Sequence, residues 1–172
     1  MLDHLSLLYT CETPNRKVCM EEKLTPILLG KVCPYCGKDS ELIDSSEIYG
    51  TSYGPIYICR DCDAYVGCYN GTTNSLGRLA NKELREAKKR AHHYLDQLWK
   101  PNRNKRYRTY TWLSKELGIP REITHIGMSD IEQCNRIAEL AINKLKQRGV
   151  EFEVWPLDDP LRIKENGNPV GH

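Results

Sequence analysis

Apolar positions along this chain change their period near residue 75. Between residues 31 and 70 they fall in short runs: Glu41-Leu42-Ile43-Asp44, Glu47-Ile48-Tyr49, Ile56-Tyr57-Ile58 and Ala64-Tyr65-Val66-Gly67-Cys68-Tyr69. Such runs, rich in Ile, Val and Tyr and separated by turn residues, predict strands. Gly50-Thr51-Ser52-Tyr53-Gly54-Pro55 is the turn, so 41–49 reads as one arm of a hairpin, 56–58 as the return and 64–69 as a third strand. Ahead of them, residues 1–30 show no clean period, and Lys23-Leu24-Thr25-Pro26-Ile27-Leu28-Leu29-Gly30 predicts a short apolar strand.

After the polar loop Asn70-Gly71-Thr72-Thr73-Asn74-Ser75 the period becomes helical. Leu84, Ala87, Ala91, Tyr94 and Leu98 recur at steps of three and four, one stripe of a helix that Asn81 caps and Pro101 stops. The other face carries Lys82, Arg85, Lys88, Lys89, His92 and His93. A second helix over about 106–117 buries Tyr110, Leu113 and Leu117 and ends at Gly118-Ile119-Pro120. Ser129 with Glu132 forms a capping box for a third, whose stripe is Ile131, Cys134, Ala138, Ala141 and Leu145, with Gly149 as its stop. Val150, Phe152 and Val154 alternate with Glu151 and Glu153, which predicts a final strand before a polar tail.

Two CxxC pairs give this pattern its chemistry. Cys33-Pro34-Tyr35-Cys36-Gly37 and Cys59-Arg60-Asp61-Cys62 lie at the spacing of a four-thiolate zinc site, and the hairpin between them returns the second pair opposite the first. Zinc takes four soft thiolates in a tetrahedron, and such a closed site folds the chain instead of activating water. One structural Zn2+ on Cys33, Cys36, Cys59 and Cys62 is therefore expected, with Lys31, Lys38 and Arg60 offsetting its negative charge. The alternative, a redox dithiol, belongs on a βαβ unit, and hairpin signals stand here instead. Cys68 is a reserve ligand at most; Cys11, Cys19 and Cys134 read as small apolar residues. With 8 Cys and no acid-free, positively charged leader, the chain reads as cytoplasmic, its thiols kept reduced. No run reaches the ~18 apolar residues of a membrane span.

The formal charge of +2 hides a division. From Arg78 to Arg108 there are eleven Lys/Arg against three acids (Glu83, Glu86, Asp96), a local net of +8, so the rest carries −6. Lys82, Arg85, Lys88 and Lys89 on the first helix, then Arg103, Lys105, Arg106 and Arg108 beside Tyr107, Tyr110 and Trp112, suit phosphate and unpaired bases. Nucleic acid is thus the first partner expected. A protein partner, met by the acidic tail and exposed tyrosines, is the alternative, and an enzyme using His92, His93 or His125 comes third. Gly50-Thr51-Ser52-Tyr53-Gly54 matches a nucleophile elbow, but Pro55 and a strand follow it where a helix is required. HExxH, a phosphate loop and the deaminase His-x-Glu are all missing from the sequence.

From Cys33 onward the chain resembles a family of small phage and bacterial zinc-finger-containing proteins of unknown function. The resemblance rests on the two cysteine motifs, Ile48-Tyr49-Gly50-Thr51-Ser52-Tyr53-Gly54, Asp63-Ala64-Tyr65-Val66-Gly67-Cys68 and Leu76-Gly77-Arg78-Leu79-Ala80-Asn81. It continues through Ala91-His92, Leu98-Trp99-Lys100, Trp112-Leu113 and His125-Ile126-Gly127, covering about residues 31–145. It implies zinc and a phage-like setting, hence a host cytoplasm, and supplies no activity. Where the family pattern places His after the cysteine matching Cys68, Tyr69 stands here, so no further ligand is carried over.

The expected fold is α+β: a four-cysteine zinc ribbon of two or three antiparallel strands packed with a three-helix unit. Its segments are an N-terminal extension (1–30), the ribbon (31–74), the helical unit (75–149) and a C-terminal strand and tail (150–172).

Overall fold

Among the described residues, three short antiparallel strands and three long helices carry the fold, each set within its own unit. The computed structural model describes residues 25–158. Contacts divide the chain between Lys82 and Glu83 into two compact units.

In the first unit, β1 (Glu41–Asp44), β2 (Pro55–Cys59) and β3 (Ala64–Gly67) form one sheet in the order β1-β2-β3. Leu42 lies opposite Tyr57 and Tyr57 opposite Val66, so these three share a face; Ile43, Ile56 and Gly67 share the other. Cys33, Tyr57, Cys59, Ala64 and Leu79 form the unit's buried cluster, with Cys62, Val66 and Cys68 packed against it. Residues beyond the polar loop also return to the sheet. Tyr65 bridges Ala80 and Cys68 bridges Ser75, so the stretch to Lys82 is held with the strands.

The hairpin arm expected over 41–49 is shorter than its composition suggests. Ser46–Tyr49 is one helical turn, closed by Gly50 at φ 70°. Asp44 accepts from the Ser46 N–H at 2.9 Å, and buried Ser45 accepts from the Tyr53 N–H at 2.7 Å. Those bonds satisfy the backbone locally and end the strand. The apolar run before Cys33 is likewise helical over 25–28, with Leu29 N–H donating to the Thr25 carbonyl at 2.8 Å. Pro26 near its start favours that turn. Lys23 and Leu24 lie outside the described residues, as do Cys11 and Cys19.

In the second unit, α1 (Lys82–Gln97) buries Leu84, Ala91, Tyr94 and Leu95; its first residue, Lys82, falls with the first unit. α2 (Lys105–Leu117) buries Thr109, Tyr110 and Leu113 and ends on Gly118 at φ 66°. α3 (Ile131–Gln147) buries Cys134, Ile137, Ala138, Ala141 and Leu145. Its cap is one residue later than expected: Asp130 accepts from the Gln133 N–H at 2.9 Å, and Ser129 instead donates to the His125 carbonyl at 3.2 Å. The carboxylate is the stronger acceptor for the positive end of a helix.

The strand expected over 150–154 does not form; the segment has no regular structure and pairs with a helix instead. Glu153 N–H donates to Gln97 Oε1 at 2.8 Å, and its carbonyl accepts from Gln97 Nε2 at 3.0 Å. His93 Nε2 lies 2.8 Å from the same carbonyl, which requires the Nε2–H tautomer. Further on, Trp155 N–H donates to the Tyr94 hydroxyl at 3.0 Å. Asp158 closes this strap by accepting from Tyr94 at 2.8 Å and from Arg90 at 2.7 Å.

Candidate metal centre

Two knuckles meet at the end of the sheet. In the first, Cys33 N–H donates to the Lys38 carbonyl at 2.8 Å and Gly37 N–H to the Cys33 carbonyl at 2.9 Å. Gly37 takes φ 73°, a left-handed turn that glycine adopts without strain. The second runs off β2 into a 3₁₀ turn, Arg60–Cys62, closed by Asp63 at φ 44°. Each knuckle therefore ends one residue past its second cysteine on a left-handed residue. The sequence announces this at Gly37 and hides it at Asp63.

These turns bring the sulfurs of Cys33, Cys36, Cys59 and Cys62 all within 4.8 Å of one another. Cys36 and Cys59 stand 3.6 Å apart. A tetrahedron with Zn–S bonds of ~2.3 Å has edges of about 3.8 Å, so the quartet fits zinc. Among the described residues this is the one group of His, Cys, Asp and Glu gathered closely enough to hold a metal ion. Cys68 packs against the same buried cluster but stands outside the quartet, and Cys134 is buried on α3.

The thiols differ in how readily they ionise. A hydrogen bond from the Lys38 backbone N–H is the main cause holding Cys36 down, at about 7. Burial raises Cys59, against a hydrogen bond from the Cys62 backbone. Cys62 is pushed up to about 12, by desolvation first and then by its neighbouring thiols. Four sulfurs this close do not all ionise without a cation among them, and a dication there favours every thiolate.

The scan against protein families finds a zinc-finger-containing domain, DUF3268, over residues 30–144. The chain belongs to that family. Comparison with curated proteins and with solved structures gives no match. Zinc is thus a structural cofactor of this family member, held by four cysteines in an α+β, ribbon-like unit.

The cations expected to offset the cluster also have partners of their own, while Lys38 still feels the charge of Cys36 and Cys59. Lys31 hydrogen-bonds the Tyr57 hydroxyl and lies over its ring. Lys38 pairs with Asp61 across the two knuckles at 2.6 Å, which raises the lysine and lowers the acid. Arg60 spans Glu41 at 3.1 Å and Glu47 at 2.8 Å. Backbone N–H groups remain as the donors to sulfur.

The basic residues of the second region divide into two sets. On α1, Lys82 and Lys89 are exposed, and Lys89 pairs with Glu86 at 2.7 Å. Arg85 is half-buried, and Lys88 leans off the outer face to donate to the Gly127 carbonyl at 2.8 Å. Arg103, Lys105, Arg106 and Arg108 come together where the chain enters α2, all exposed. The histidines expected on a solvated face differ: His92 is exposed, whereas His93 is half-buried between Tyr94 and Trp155. Among the described residues, no helix is long and apolar enough to cross a membrane.

Proposed function

We propose that this zinc-stabilised module contacts nucleic acid through Arg103, Lys105, Arg106 and Arg108 at the start of α2, extended by Arg85 and Lys89 of α1. The observation that carries the reading is a local excess of positive charge. From Gln97 to Lys115 the chain has six Lys/Arg and no Asp or Glu. A surface so composed attracts a polyanion whatever its sequence. Zinc serves as scaffold, consistent with a closed four-thiolate site. A reducing cytoplasm suits thiols kept for metal.

Fluorescence anisotropy with labelled oligonucleotides across a salt series tests this. Binding should weaken steeply with salt, each contacted phosphate adding about −0.9 to the log–log slope on duplex or about −0.7 on a single strand. Replacing Arg103, Lys105 and Arg108 together by Glu should abolish binding and leave zinc content unchanged. No binding at low salt would overturn the reading.

A second reading has its own observation. Tyr53 is 76% exposed and meets Tyr49 edge-on at 5.9 Å, and exposed aromatics of this kind are enriched in protein interfaces. It supports a protein partner for the first unit, and mutation of Tyr49 and Tyr53 in a pull-down would test it.

A further inference from the structure

Rings and guanidinium groups alternate in one stack within the helical unit. Arg106 Cζ lies 5.4 Å from the Trp99 ring centroid and 5.1 Å from that of Tyr110. Arg121 Cζ lies 5.2 Å from Tyr110 and 5.7 Å from Tyr107. The order is therefore Trp99, Arg106, Tyr110, Arg121, Tyr107. Helical spacing builds it, because Arg106 and Tyr110 are four apart and Tyr107 and Tyr110 three apart on α2. Trp99 enters from the end of α1, and Arg121 from the 3₁₀ turn Arg121–Ile123 that follows α2.

The two ends differ. Trp99 is half-buried, and its indole N–H donates to Asp96 at 3.1 Å. Tyr107 is 70% exposed. Among the described residues no carboxylate pairs with Arg106 or Arg121, and Arg121 Nε is buried with no hydrogen-bond partner. The stack thus holds two positive charges against ring faces with no carboxylate partner among the described residues, and its last ring opens to solvent.

We propose that Tyr107 is a stacking platform for an unpaired nucleobase, continuing the ladder while the adjoining phosphates meet Arg103, Lys105 and Arg108. This inference rests on the nucleic-acid reading and narrows it to single strands. A base within a duplex has both faces covered by its neighbours; only an unpaired one offers a face to a ring. Stacking of this kind tolerates any base, since each has a π-face. An acidic peptide would answer the charge and leave the ring unused.

The test uses the zinc-loaded full chain with a labelled single strand and its duplex. The single strand should bind more tightly at equal salt. Tyr107→Ala should weaken single-strand binding by about 5- to 150-fold, the range for loss of one stacked base. It should leave the salt slope, the duplex affinity and the circular dichroism spectrum unchanged, and Tyr107→Trp should retain binding. Equal affinity for single strand and duplex, or full single-strand affinity in Tyr107→Ala, overturns the inference and leaves the broader reading standing. Absence of binding to either nucleic acid overturns both.

Discussion

The sulfurs of Cys36 and Cys59 lie 3.6 Å apart, although the residues are 23 positions distant in the chain. Only the return of β2 beside β1 brings them together, so sheet and metal site depend on each other. Elemental analysis should find one zinc per chain. Cys59→Ser should lose it and unfold the first unit, because structural zinc contributes ~10 kcal/mol or more to such modules, beyond the margin of a small domain. Cys68→Ser should keep the full metal content. Soluble, folded protein without metal would disprove the assignment.

The helical unit turns on a few residues with no exposed surface. Leu113 is completely buried on α2. Leu113→Ala should destabilise by ~2–5 kcal/mol, the lost transfer energy plus the cavity left behind. Urea denaturation followed by tryptophan fluorescence would measure it, and a change below about 1 kcal/mol would mean that the site collapses around the smaller side chain.

His125 should make this unit sensitive to mild acid. Burial is the main cause lowering it from its usual 6.5, and the charges of Arg121 and Arg106 add to the effect. Its ring also packs against Tyr110 at 5.7 Å. The sign follows from linkage: the unfolded chain binds the proton more readily, so stability rises with pH across the window below 6.5. It should fall as pH drops from neutrality and level off below the native-state value. His125→Gln should flatten that part of the pH profile. In a chemical-shift titration the native His125 midpoint should lie under 6.5.

Much of this was legible because the signals were local. The CxxC pairs announce the ligands, and the three-four spacing of Leu84, Ala91 and Tyr94, or of Cys134, Ala138 and Ala141, marks the buried faces of α1 and α3. Two of the failures share a cause: a side chain took over backbone pairing that a strand would otherwise provide. Ile48 and Tyr49 look like strand residues, yet Asp44 and Ser45 hold a helical turn there; Asp44 just ahead of two serines was the missed signal. Val150, Phe152 and Val154 do alternate, but Gln97 and His93 serve as their partner. No local pattern reveals a pairing formed by residues more than fifty positions away.

The strap over α1 has a consequence for how this chain tolerates change. Gln97 both donates to and accepts from Glu153, and it touches only the peptide groups. At that position the helix therefore recognises backbone and is blind to the Glu153 side chain. Residue 153 is open to drift among nearly all amino acids, proline excepted, since proline has no N–H to offer Gln97. The constraint falls instead on Gln97, whose amide alone supplies both halves of that exchange. Divergence should accumulate at residue 153 and spare both the glutamine that reads its backbone and the strap side chains, Trp155 and Asp158, that meet α1.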